Sequence, residues 1–459
     1  MTIKHGEASG RGVSSDPSND EFTVHTSLLF QSTTKEFQKH ISLRISSSTG
    51  LITHVACRPS SDLTAPQSSN DVDLRGLTVL PGLVDAHTHI FLHPYSEASS
   101  LNQERDESLV ERVLRASNHC RAALKAGYTT YRDLGTEGLG AADINLRDAI
   151  NRGIVPGPRM FVATEPLASS SGYAVRYESP LNGTSVPRLA DTCDGVDGVS
   201  AGVRRRIGAG ADIVKVYADY RRRELRWPKP TYPGAPELAF PPGGGLLDGG
   251  RRNRNPSSCL WRQDEMDAVV VEARRAGAPV AAHAIEDEAV VMAAKAGVTS
   301  VEHGLNVGKE GLRMMKEKGT IFVPTLSVAE LYKDEVGGEV WERVLSQVKK
   351  AHEMGIKLAA GGDTGPFPHG DNVREVELLI EAGVPLEDAI TAATLGGYEA
   401  CGGEEGAGRK FGCLQRGWSA DLIALEGDPR EKLDALRKVK LVMKDGRVVV
   451  KDGRIVDLS

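Results

Sequence analysis

The sequence predicts an α/β fold: a (β/α)8 TIM barrel with a second, small β-sandwich domain formed from both chain termini. Three observations carry this expectation. Residues 79–411 alternate short apolar segments with helical runs. The apolar segments are eight in number, spread over a length that suits a (β/α)8 barrel. Strand-like segments without intervening helices occupy both ends, at 21–78 and 412–459. A doubly wound open sheet is the alternative, but no G-x-G-x-x-G follows an early strand.

Each element follows in order. Residues 1–20 are polar and read as a flexible tail. EFTVHTSLLF, HISLRISSST, LITHVACR and DVDLRGLTVL are rich in β-branched residues, separated by turn-forming Ser, Asn and Pro, and read as strands. The barrel strands are LVDAHTH (83–89), YTTYRDL (128–134), RMFVAT (159–164), DIVKVYA (212–218), PVAAHA (279–284), TSVEHG (299–304), TIFVPT (320–325) and IKLAAGG (356–362). Helical runs such as DEMDAVVVEARRAG and EDEAVVMAAKAG end in Ala-Gly, the C-cap expected just before the next strand. Residues 221–258, crowded with Arg, Pro and Gly, interrupt this rhythm after the fourth strand. They read as a lid or rim insertion, or as a tolerated surface insertion without a role in binding. ADLIALEG, KVKLVMKDG and RVVVKDGRIVDL return to strand character and complete the sheet domain.

Composition removes several classes of function. A formal net charge of −6 gives no basic footprint for nucleic acid. The six cysteines show no C-x-x-C spacing and read as reduced thiols. No apolar run approaches a membrane span, and the N-terminus lacks the apolar region of a signal peptide. A soluble, cytoplasmic protein that engages neither membrane nor nucleic acid is the expectation.

Chemistry collects at the strand ends. In PGLVDAHTHI, His87 and His89 stand two apart and share one face of a strand. The pair alone reads either as metal ligands or as packed, hydrogen-bonded histidines. His283 closes PVAAHA, His303 closes TSVEHG, and Asp363 follows IKLAAGG. Five such side chains at matching ends of four strands are hard to explain as packing, and a borderline cation such as zinc suits the His/Asp set. Lys215, in DIVKVYADY, sits on the fourth strand. It reads equally as a carbamate formed with CO2, giving an oxygen to each of two metals, or as a lysine bridged to Asp133 or Asp219.

Other candidates are weaker. His93 lies just past the HxH pair and faces substrate or supports the site from behind. Tyr217 and Tyr220 follow Lys215 and are candidates to bind a substrate carboxylate or a tetrahedral oxygen; His369 is a candidate rim contact. Arg132 and Asp133 suggest an internal ion pair at the barrel mouth rather than catalysis. Arg221, Arg222 and Arg223 read as an anion-attracting run or a solvated face.

The stretches LPGLVDAHTHI, GYTTYRDLG, IVKVYADY, AAHAIEDEAVVMAAKAGVTSVEHG, AAGGDTG, EAGVPLEDAITAATLGG and GWSADLIALEGDP resemble the amidohydrolase superfamily over about 70–459. The likeness is to its branch of imidazolonepropionase-like enzymes, Xaa-Pro and Xaa-Arg dipeptidases and ochratoxinase-like amidases. The resemblance implies two divalent metal ions, zinc by preference, held by His87, His89, carboxylated Lys215, His283, His303 and Asp363. It implies hydrolysis of an amide or peptide-like C–N bond by a metal-bridging hydroxide. Asp363 would move the proton, and His303 would stabilise the oxyanion if one metal is present. The expected substrate is a small, carboxylate-bearing amide: an N-acyl amino acid, a dipeptide or an ochratoxin-like amide. A cyclic amide or imidazolone hydrolase with one metal is the alternative, and a non-catalytic binding barrel a more distant one. Assemblies are common in the family, so the resemblance admits a homo-oligomer, but the sequence marks no interface.

Overall fold

The computed structural model describes residues 20–58, 70–170, 172, 188–219, 259 and 261–456. Nearly all of the expected tail, the 221–258 insertion with its arginines, and Tyr220 therefore lie outside the described residues.

The two ends of the chain meet in one sheet. β1 (Glu21–Gln31), β2 (Glu36–Lys39), β3 (Ile41–Ser46), β4 (Ile52–Cys57) and β5 (Val72–Pro81) come from the start of the chain. Nine strands, β6 to β14, follow in the middle of the chain. β15 (Leu422–Leu425), β16 (Val439–Lys444), β17 (Arg447–Lys451) and β18 (Arg454–Ile455) come from the end. The order is β18-β17-β16-β15-β5-β1-β3-β4, with β2 paired to β1. The seam between the two ends is the antiparallel β5–β15 pair, in register from Pro81↔Leu422 to Thr78↔Leu425. Alternation decides what each face of this sheet covers. Leu29, Val79, Leu422 and Ala424 enter a core built mainly from these strands, whereas Phe30, Leu80, Ile423 and Leu425 pack into the large core of the central region.

The central region is a closed ring of parallel segments. β6 (Leu83–Thr88), β7 (Tyr128–Asp133) and β8 (Arg159–Val162) form one run. β9 (Leu167–Ala168) and β10 (Asp191–Thr192) join β11 (Val214–Tyr217), β12 (Val280–Glu286), β13 (Ser300–Asn306) and β14 (Ile321–Val323) in the other. The Asp212 N–H donates to Val162 O at 2.8 Å, which links β8 to the segment leading into β11. At the other junction, Phe322 N–H donates to Lys357 O at 2.8 Å, and Ala86 N–H donates to Ala360 O at 2.9 Å. The segment 357–364 thus stands between β14 and β6 and closes the circuit, with parallel bridges Phe322↔Leu358 and Thr88↔Thr364. Closure removes the open-sheet alternative.

That eighth segment makes fewer ladder bonds than an ordinary strand. Gly361 lies so close to β6 that an added Cβ would stand 2.6 Å from the His87 backbone nitrogen. The expected helix caps are present where the chain needs φ > 0. Gly210, Gly297 and Gly319 end the helices Gly195–Ala209, Asp287–Ala296 and Lys309–Lys318 in the left-handed region. Each of these helices then returns the chain to the ring.

Candidate metal centre

The C-terminal ends of the parallel strands bring seven of the expected side chains together. β6 presents His87, and His89 lies one residue beyond its end on the same face. The His87 and His89 Nε2 atoms lie 3.6 Å and 3.1 Å from Asp363 Oδ1. One ligand atom from each of the three falls within 4.8 Å of the others, the arrangement a single cation needs. The cluster continues through rings: His303 stands 5.1 Å from His87, and His283 stands 4.5 Å from His303. Tyr217, directly opposite His283 in the β11–β12 register, meets that ring edge-on at 5.3 Å. Lys215 rises from β11 beneath these rings, and its Nζ is buried without a hydrogen-bond partner.

Two backbone departures aim this cluster. His303 and Asp363 have φ of 74° and 59°, values uncommon for residues with a Cβ. Strict alternation would send adjacent residues Glu302 and His303 to opposite faces. The turn at His303 instead leaves both buried at the strand end, Glu302 against His87 and His303 against the other rings.

The histidine tautomers are set by what each Nδ1 touches. His87 Nδ1 donates to Glu302 Oε2 at 2.9 Å, and His89 Nδ1 donates to Gly135 O at 3.0 Å. Both rings therefore direct Nε2 at Asp363, as a cation ligand must. His303 Nδ1 shares a hydrogen bond with Thr325 Oγ1 at 2.8 Å. Burial, joined by the Lys215 charge, lowers His87 to about 4, and burial beside His87 lowers His303 to about 3. Neutral imidazoles are the ligand form. Burial also opposes charge on His89, but Asp363 and Glu137 outweigh it and raise that ring to about 9. The same neighbours act on Asp363: burial would raise it, yet His87 and His89 hold it well below the usual carboxylate range. Burial lowers Lys215 to about 8, against the pull of Glu302 and Asp363. Converging imidazole nitrogens, an ionised carboxylate and a lone buried amine fit a divalent cation site.

The remaining expected residues fall elsewhere. His93 is buried between two carboxylates, Nδ1 at 3.1 Å from Glu97 and Nε2 at 2.6 Å from Glu107. His369 stacks on His119 with ring centres 4.3 Å apart and donates from Nε2 to Leu92 O. Both rings thus pack against other groups of the protein. Arg132 does form an internal ion pair, but with Glu302. Asp133 instead accepts from the Ile90 N–H and Thr88 Oγ1. Asp219 accepts from the Ile285 and Glu286 N–H groups, and Lys215 Nζ bonds neither acid.

Several supporting residues escaped the sequence reading. Glu302 precedes His303 and was hidden by the assumption of strict alternation. Asp85 accepts from Thr364 Oγ1 and Asn372 Nδ2, tying β6 to the Asp363 segment. Glu137 stands 3.4 Å from His89 Nδ1. Its place on a loop after β7 gave no periodic signal.

A parallel ring with ionisable side chains gathered at its C-terminal strand ends is the architecture of a barrel enzyme, whose sites lie on that face. The chain belongs to the amidohydrolase family, which matches residues 78–449. It is 28% identical over 415 residues to ochratoxinase from Aspergillus niger, covering 84% of this chain and 76% of that protein. It is 25% identical over 389 residues to imidazolonepropionase from Syntrophobacter fumaroxidans, covering 80% of this chain and 78% of that one. A solved Xaa-Pro dipeptidase with bound methionine in its active site superposes with a TM-score of 0.73 at 30% identity, over 93% of this chain and 99% of that one. Family membership and these enzymes make the chain a hydrolase of the kind that acts on C–N bonds.

Proposed function

We propose that the protein is a zinc-dependent hydrolase of a small amide or dipeptide-like substrate carrying a carboxylate. In this reading His87, His89, His283, His303, Asp363 and a carboxylated Lys215 hold two cations. The observation that carries it is the buried Lys215 Nζ, which has no hydrogen-bond partner although it lies within electrostatic reach of His87, His283, His303 and Asp363. Carboxylation resolves that isolation. The neutral amine adds to CO2, the N–C bond forms as one C=O π pair moves onto oxygen, the N–H proton passes to solvent water, and a carbamate anion replaces the isolated amine. Burial favours the neutral amine that the step requires.

When bound, the cations supply Lewis acidity at the scissile carbonyl and lower the pKa of water. The protein's own groups do the rest. Asp363, ionised and within reach of both His87 and His89, accepts a proton on a carboxylate oxygen from the attacking water and returns it to the leaving nitrogen. Glu302, Gly135 O and Thr325 hold the Nδ1 sides of three rings and so orient them. Tyr217, at the ring edge of His283, is the group we assign to the substrate carboxylate or the developing oxyanion. The compact trio of His87, His89 and Asp363 favours a second reading, in which one cation and an unmodified Lys215 serve a cyclic amide or imidazolone. We also retain the composite terminal sheet, 21–78 with 412–459, as a domain distinct from the barrel.

A substrate screen tests the choice. Zinc-loaded protein should hydrolyse N-acyl amino acids, Xaa-Pro dipeptides or aromatic amides that carry a carboxylate. Turnover of cyclic amides alone would favour the second reading, and no turnover of any of the four groups would overturn both.

A further inference from the structure

Beneath the candidate centre lies a buried charge pair that needs no cation to explain its geometry but has a consequence for one. Arg132, on β7 and fully buried, engages all five of its N–H groups. Nε donates to Ala86 O, one residue before His87. Nη1 donates to Ser300 Oγ at 2.8 Å and to Ala400 O at 3.1 Å. Nη2 donates to both oxygens of Glu302, at 2.8 Å and 2.9 Å. Glu302, held in this way and also accepting from Ser300 Oγ, turns Oε2 to His87 Nδ1 at 2.9 Å. A carboxylate can only accept, so the proton on that nitrogen belongs to His87.

We propose that the Glu302–Arg132 pair is a positioning device for the centre: it fixes the His87 proton on Nδ1 and turns the unprotonated Nε2 toward Asp363 and the cation. The inference rests on the proposed metal site and deepens it. Neither residue ligates the cation. Arg132 joins strands β6, β7 and β13 to the helix Gly397–Ala400, so the orientation of one ligand is built into the frame of the barrel.

The test is zinc affinity, measured by competition with a chromophoric chelator, alongside the unfolding midpoint of the metal-free chain. Glu302→Gln should weaken zinc by about 10- to 100-fold, the range for partners that orient a metal-bound histidine. If that variant does not fold, Arg132→Gln/Glu302→Gln removes both buried charges together and should show the same loss. Long-range 1H–15N correlation on the zinc-loaded parent needs no variant and should report His87 protonated at Nδ1. A merely structural strut would lower the unfolding midpoint and leave zinc affinity unchanged. Unchanged affinity in a folded variant, or a proton on Nε2, overturns this inference while leaving the metal site standing. A parent chain that binds no zinc overturns both.

Discussion

Asp363 carries the most demanding assignment of any single residue. It lies 3.1 Å from His89 Nε2 and is ionised despite burial, so it can serve a cation and still take a proton once the charge around it changes. Asp363→Asn keeps the size and one oxygen but cannot accept the proton. Turnover should fall by about 10³-fold, within the usual range for losing a general acid–base, with the unfolding midpoint of the metal-free chain little changed. Retained turnover would remove Asp363 from the proton-moving role. The gathering of the HxH pair and Asp363 was legible in the sequence because all three fall at predicted strand ends. Glu302 and Glu137 were not. Glu302 shares the inward face of its strand with Ser300, and His303 joins it there through a φ of 74°; a positive φ at a non-glycine residue leaves no mark in the sequence.

At the level of elements, alternation and capping explain most of what the sequence revealed. Gly297, which closes EDEAVVMAAKAG, ends its helix in the left-handed region as the sequence suggests. His93 and His369 show the limit. Position near a strand end says where a residue is, but not that Glu97 and Glu107, or His119, will occupy its ring. The short helix Leu326–Glu330 exposes another feature the sequence hides: buried Glu375 accepts from the Leu326 and Ser327 N–H groups at its start. Burial raises Glu375 from 4.5 to about 8, in spite of those bonds. The folded chain therefore binds this proton more tightly than the unfolded chain, and stability falls as pH rises through the window from 4.5 to about 8. Asp85, raised by burial to about 6, acts in the same direction. Glu375→Gln should make the fall in unfolding free energy between about pH 5 and about pH 8, measured by urea titration, shallower by an amount on the order of a kcal/mol or more. An unchanged pH difference would contradict the assignment.

For the whole molecule, closure of the ring is what converts distant sequence into a site. His87 and Asp363 stand at opposite ends of the barrel sequence, and they meet because Ala86 N–H pairs with Ala360 O. The count of eight apolar segments anticipated this. It could not anticipate that the eighth would be anchored by few ladder bonds and by Asp85 bonding Thr364. The same closure leaves the Lys215 amine buried among the histidines, and the central claim is that a carbamate there helps hold two cations. Anomalous diffraction at the zinc edge, from crystals of the zinc-loaded protein grown with bicarbonate, tests that claim most directly. Two zinc peaks within the cluster, with density for a carboxylated Lys215 between them, are expected. A single peak beside an unmodified Lys215, or none, would contradict it.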